Sequence, residues 1–309
     1  MSLPIVVVLG AGRSGTNFLA DVLAHDPGLC NTVENRYIWN YRQKTLKHDV
    51  RRPDEVTGPV SSYIRRHFQS IASKTGQVPI DKTPSNVFRV SFVHRVFPKA
   101  KLIHIIRDGR DNVYSRIREW HGGNTVVARQ HASGLVEVTE NFRTAFIRRR
   151  FDRLRDLVKS RGLPADRVPT FLYDNASVLA RQLFTRELVR YGERFPGMEQ
   201  HLRAYGSLAT CAAQWREGVL HALSEGRRLS GDTYFELRYE DLLARPSEEW
   251  ARLASFLGVD ADSPAREFLM ETATRRSEKD WSREEYREFL RPIEPHIRPT
   301  LEFLNYAWV

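Results

Sequence analysis

Cysteine is nearly absent: Cys30 and Cys211 are the two in 309 residues. That count excludes a disulfide framework and a four-cysteine zinc site. Both thiols read as small buried hydrophobes, and so few of them suit a reducing compartment. Long apolar runs are also missing. No segment reaches the roughly 18 residues that a membrane span needs. The longest early run, Ile5-Val6-Val7-Val8-Leu9, is too short for a signal peptide and lacks a basic flank. A soluble, cytoplasmic chain is the expectation. Acidic residues are in deficit, 38 against 48 Lys and Arg, which leaves a formal charge of +10. A basic balance favours anionic partners, without choosing among nucleic acid, a phosphorylated cofactor and an acidic glycan. No His/Cys/Asp cluster has metal-ligand spacing, so no metal is expected.

Enough remains to build a sizeable core. Hydrophobic residues make up 41% of the chain and aromatics 11%, which excludes disorder as the main state. Pro4–Leu9 is a β-branched run ending at a glycine cluster, the pattern of a strand buried on both faces of a parallel sheet. Phe18, Leu19, Val22 and Leu23 then recur at helical spacing, and Asp26-Pro27-Gly28 stops that helix. Lys101–Ile106 is a second buried strand and runs into another helix through Val113 and Ile117; Thr233–Arg238 is a third strand. Helical patterns fill 140–230 and the last 40 residues. Alternating strands and helices imply an α/β fold with a parallel sheet flanked by helices. Residues 1–309 are read as one domain carrying a largely helical insertion at about 119–230.

Gly10-Ala11-Gly12-Arg13-Ser14-Gly15-Thr16 follows the first strand and opens the first helix. Glycines let the backbone turn tightly and approach a ligand, and the helix start offers N–H groups and the positive end of its dipole. The loop is therefore an anion site, most naturally for phosphate. It matches G-x-G-x-x-G, the dinucleotide fingerprint, and Glu34 lies 24 residues beyond Gly10, near where a ribose-binding acid belongs. Three features oppose that reading: 28–33 makes a poor buried strand, Arg13 puts a long cation inside the loop, and regular βαβ units do not follow. The spacing of Gly10 and Gly15 also fits a Walker A loop, yet Thr16 stands where Lys should. The cation sits earlier, as Arg13, which suits a loop that cradles a 5′-phosphate while Arg13 reaches a transferring group.

Arg107 closes the second buried strand, and Ser115 lies eight residues on, in the helix that follows. Ligands of parallel sheets bind at such carboxyl ends. A guanidinium fork and a hydroxyl there make a second anion pocket. Two phosphate sites on adjacent strands imply a nucleotide phosphorylated at both ends.

Five stretches together resemble the sulfotransferases that use 3′-phosphoadenosine 5′-phosphosulfate (PAPS), in the branch of bacterial relatives of tyrosylprotein and carbohydrate sulfotransferases. Gly12-Arg13-Ser14-Gly15-Thr16 is similar to the 5′-phosphosulfate loop, and Phe97–Asp111 with Ser115 to the 3′-phosphate motif. Asp81-Lys82-Thr83-Pro84 resembles the Lys-x-Pro segment, Arg238-Tyr239-Glu240-Asp241-Leu242 the strand–helix that follows, and Asp280-Trp281 with Leu301–Tyr306 the closing segment. Asn17 stands where a second Thr is frequent, and Arg275–Lys279 replaces an unrecognisable nucleotide-covering loop.

The resemblance implies PAPS as donor and PAP, 3′-phosphoadenosine 5′-phosphate, as product. It implies Gly12, Arg13, Ser14, Gly15, Thr16, Asn17, Arg107, Ser115 and Tyr239 as cofactor-binding residues. Sulfuryl transfer is an in-line displacement through a loose transition state, so catalysis is mostly positioning and charge stabilisation. Arg13 and Lys82 are the expected cations at the leaving phosphate. Glu34 is carried over as general base, with Arg36 as the substrate-binding or orienting residue two positions on. The acceptor, a glycan, peptide tyrosine, lipid or small metabolite, stays open, with Trp120, His121, Arg129 and Arg148 as its plausible contacts. The competing readings are a P-loop kinase, which would need Mg²⁺ ligands and a loop Lys, an NAD(P)-dependent oxidoreductase, and a nucleic-acid-binding module that rests on net charge alone.

Overall fold

Five strands form one parallel sheet in the order β2-β3-β1-β4-β5. They are β1 Val6–Leu9, β2 Leu29–Asn31, β3 Val78–Asp81, β4 Lys101–Ile106 and β5 Tyr234–Arg238. The computed structural model describes residues 4–32, 34–45, 47–120, 192–274 and 281–308. His121, Arg129, Arg148, the 275–279 basic stretch and most of the proposed insertion lie outside the described residues. The helices among the described residues are α1 Thr16–Leu23, α2 Arg36–Trp39, α3 Gly58–Thr75, α4 Val90–Val96, α5 Gly109–Trp120, α6 Met198–Gly226, α7 Tyr239–Ala244, α8 Pro246–Leu257, α9 Pro264–Ala273 and α10 Arg287–Phe303. None is long and apolar enough to cross a membrane.

β1 is central because both its faces are apolar. Val7 and Leu9 join one buried cluster with Leu102, Ile106 and Trp215. Val6 and Val8 join another with Ile103, Ile105, Leu237 and Trp250. A strand with two covered faces reads as an unbroken hydrophobic run, and β1 and β4 do. Their register is Val6 opposite Lys101 through Leu9 opposite His104, so the glycine loop and Arg107 leave the sheet side by side.

Two strands escape a periodicity reading. β2 has three residues, of which Leu29 alone is buried. β3 carries Pro79 and ends in a carboxylate, although it sits between β2 and β1. That order bears on the dinucleotide alternative. In such a fold the strand after the first crossover pairs with β1 and offers its acid to the ribose. Here β3 intervenes, and it is β3, not β2, whose end adjoins the glycine loop.

α6 contributes Cys211, Trp215 and Val219 to the core, and burial pushes the Cys211 thiol pKa up. Trp215 Nε1 donates to the Arg107 carbonyl at 3.0 Å, and a Cβ on Gly109 would fall 2.8 Å from its ring. The β4–α5 turn is thus braced from behind.

His104 is buried in β4, with Nδ1 2.7 Å from the Tyr234 hydroxyl. Burial lowers its pKa from 6.5 to about 4, so the folded state binds that proton less tightly than the unfolded one. Its share of stability is present above pH 6.5 and is lost as pH falls toward 4, at about 1.4 kcal/mol per pH unit. Denaturant titrations across that window are expected to show a shallower slope for His104→Gln than for the natural chain.

Candidate active site

The loop from Gly10 to Gly15 earns its glycines. A Cβ on Gly10 would come within 2.7 Å of Thr16 Cγ2 and 2.9 Å of the Ile105 carbonyl. Gly15 has φ +89, and a Cβ there would collide with the Tyr239 ring. Arg13 also lies in the left-handed region, at φ 75, a strain that a non-glycine residue holds when surrounding structure enforces it. No side chain caps α1, and its first turn has no acidic residue. A cradle shaped by glycine at an uncapped helix start fits a phosphate.

Three residues that sequence reasoning missed hold this loop. Asn112 Nδ2 donates to the Gly12 carbonyl and to Ser14 Oγ, both at 2.9 Å. Arg116 donates to the Gly12 carbonyl at 2.6 Å and to Glu193 at 2.7 Å. Glu193, fully buried, accepts the Gly12 N–H at 3.1 Å. Ser14 is buried and Thr16 nearly so, whereas Gly12 and Gly15 are half-buried and Asn17 is exposed. Asn112 and Arg116 stand four apart in the helix that follows Arg107, so they share one face of it, a signal that was readable. Glu193, 181 residues from Gly12, gave none.

Arg107 meets the loop directly. Its Nη1 donates to the Arg13 carbonyl at 3.2 Å, Nη2 lies 3.5 Å from Asp111, and the guanidinium stands 4.8 Å from the centre of the Tyr239 ring. Its Nε is buried without a hydrogen-bond partner among the described residues. Ser115 Oγ accepts from Arg13 Nε at 3.0 Å, and Arg13 also pairs with Glu119 at 3.3 Å. The structure therefore brings Arg13, Arg107, Ser115 and Tyr239 together at the ends of β1, β4 and β5. The Arg13 side chain points toward α5, on the Arg107 side of the loop.

Lys82 and Glu34 lie on the other side. Lys82 is half-buried directly after β3, next to β1. Glu34 is half-buried in the short link from β2 to α2. Arg36 opens α2 and donates to both Asp49 oxygens, at 3.0 and 2.9 Å, and to the Gly192 carbonyl at 3.2 Å. Burial pulls the Arg36 pKa down, but Asp49 and Glu34 outweigh it and the net shift is upward. Burial would raise the Asp49 pKa; Arg36, Arg89 and Arg194 hold it low instead. Arg89, with Asp49 at 3.3 Å, is itself pushed down to about 9 by burial. Arg36 is thus anchored through its guanidinium. Trp120 is buried at the end of α5.

The sequence profile of the Sulfotransferase family matches residues 4–191, more than half of the chain. The chain belongs to the sulfotransferase family. Among solved structures, this sulfotransferase superposes on a Mycobacterium avium sulfotransferase with a TM-score of 0.56 at 13% identity, over 99% of this chain and 78% of that one. The sulfotransferase domain of the Synechococcus PCC 7002 olefin synthase gives 0.47 at 16% identity, over 100% and 96%. A mouse sulfotransferase complexed with PAP gives 0.42 at 13%, over 90% and 68%. No curated protein sequence matches the chain.

Proposed function

We propose that this sulfotransferase takes its sulfuryl group from PAPS and passes it in line to a hydroxyl or amine of an acceptor, releasing PAP. What supports the reading above all is the junction of two strand ends: the Arg107 guanidinium reaches the Arg13 carbonyl at 3.2 Å. A nucleotide with a phosphate at each end can span that junction. The Gly12–Thr16 loop and Asn17 would take the 5′ end, Arg107 and Ser115 the 3′-phosphate, and Tyr239 the ground between them.

The donor supplies an activated sulfuryl group when bound; the remaining work falls to side chains. Glu34 takes the acceptor's proton as the new bond forms, S–O for a hydroxyl and S–N for an amine. Lys82 neutralises charge on the phosphate oxygen as the old S–O bond breaks; Arg13 joins it only by leaving Ser115 and Glu119, to which it is bonded here. Arg36, fixed on Asp49, holds the start of α2 and with it the segment that bears Glu34. The whole chain is read as one catalytic domain with a helical acceptor side.

Thermal denaturation with PAP, ATP or NAD tests the donor. PAP at about 100 times its Kd is expected to raise the midpoint by about 5 °C, with no comparable shift from the other two. A response to NAD without one to PAP would end the proposal.

A further inference from the structure

Asp81 closes β3 and is fully buried. A carboxylate in that position is costly unless donors surround it, and four do. Asn35 Nδ2 at 2.9 Å and Thr83 Oγ1 at 3.1 Å donate to Oδ1; Trp39 Nε1 at 2.9 Å and Asn86 Nδ2 at 2.7 Å donate to Oδ2. Burial raises its pKa to about 6, with the bonds from Asn35, Thr83 and Trp39 opposing the rise. At neutral pH it is an anion that accepts from every side.

Those donors come from two separate segments. Asn35 and Trp39 belong to the stretch that carries Glu34; Thr83 and Asn86 belong to the stretch that carries Lys82. The segments are also joined to each other. The Asn35 backbone N–H donates to Thr83 Oγ1 at 3.0 Å, so the residue after Glu34 bonds the residue after Lys82. Asn35 itself cannot rotate away. Its Nδ2 also donates to Thr32 Oγ1 at 2.8 Å, and its Oδ1 faces His67 Nε2 at 2.9 Å. Up to the end of the sheet the two segments are held by the β2–β3 pairing, and Thr32 bonds the Ile80 carbonyl through its N–H at 3.1 Å and its Oγ1 at 2.9 Å. Beyond the sheet it is the Asp81 carboxylate that gathers them.

We infer that Asp81 is a positioning residue for sulfuryl transfer: its carboxylate sets the placement of Glu34 relative to Lys82. The inference rests on the reading of those two as base and cation. Asp81 touches no reacting atom. In-line displacement needs the base on the incoming oxygen and the cation on the outgoing one, and an error of about 1 Å in their separation costs about 100-fold in rate.

Asp81→Asn keeps the side chain's shape while replacing one acceptor oxygen with an NH₂ group. Donors such as Trp39 Nε1 and Asn86 Nδ2 then face a donor. The rate is read as labelled sulfate released from PAPS into water: the S–O bond to the 5′-phosphate breaks, one to the water oxygen forms, and Glu34 takes the proton. Asp81→Asn is expected to slow release about 100-fold with PAP affinity unchanged. In a Glu34→Gln background the same change is expected to cost little more, because the group it positions is already gone. Equal losses in both backgrounds, a parallel loss of PAP affinity, or no loss at all would overturn the inference. Should Asp81→Asn fail to fold, Thr83→Val, which removes only the link to Asn35 and one donor, is expected to show the same pattern in weaker form. If the natural chain neither binds PAP nor releases sulfate, it is the donor proposal that has failed, which separates the two.

Discussion

Arg107→Ala is expected to weaken PAP binding about 100-fold, roughly 3 kcal/mol, because a charge-assisted guanidinium–phosphate contact has no neutral substitute. The Arg107 guanidinium is the one that joins the β4 end to the glycine loop, through the Arg13 carbonyl and the face of Tyr239. Isothermal titration with PAP measures the loss. The side chain is also part of the scaffold, so melting of the unliganded protein is the control. A fall in affinity without a matching fall in unliganded stability assigns the effect to the phosphate. Arg107→Lys keeps the charge and gives up the fork, and an intermediate affinity is expected. If Arg107→Ala binds PAP as the natural chain does, the 3′-phosphate is held elsewhere and the two-site reading falls.

Glu34→Gln carries the largest catalytic effect. Removing a general base slows proton transfer by about 10²–10⁴-fold. The glutamine keeps the size of the side chain, and Glu34 lies on the far side of the glycine loop from Arg107, so PAP binding is expected to be unaffected. Lys82→Ala is expected to lose about 10²–10³-fold in rate, as for other single groups that stabilise developing charge. Labelled-sulfate release from PAPS measures both. A Glu34→Gln variant that keeps the natural rate would leave the proton to another acceptor and remove Glu34 from the mechanism.

The glycine-loop and Arg107 half of the candidate site was legible in the residues because it is local. β1, the glycine loop and α1 are contiguous, and so are β4, Arg107 and α5; each is a strand, a turn and a helix whose period changes within a few residues. The half that carries Glu34 and Lys82 was less legible. β3 hides behind Pro79, which usually argues against an interior strand, and β2 is too short to alternate. Glu34 and Lys82 could be placed by resemblance, but nothing in their spacing reveals the Asp81 knot that mounts them. Glu193 is the extreme case. A buried carboxylate that seals the glycine loop from 181 residues away leaves no local trace.

By itself, then, the chain determined its class and the turns at the ends of β1 and β4. Apolar periodicity dictates which segments become strands and helices, and glycine dictates where backbone can bend toward a ligand. The tertiary structure decided the order β2-β3-β1-β4-β5 and, with it, which strand ends share the crevice. Parallel pairing is set by packing between segments far apart in sequence, where every apolar strand satisfies the same local rule. That is why an acid 24 residues after Gly10, which spacing alone offered to a ribose, stands instead two strands from β1, bound through Asn35 and Asp81 to the segment of Lys82.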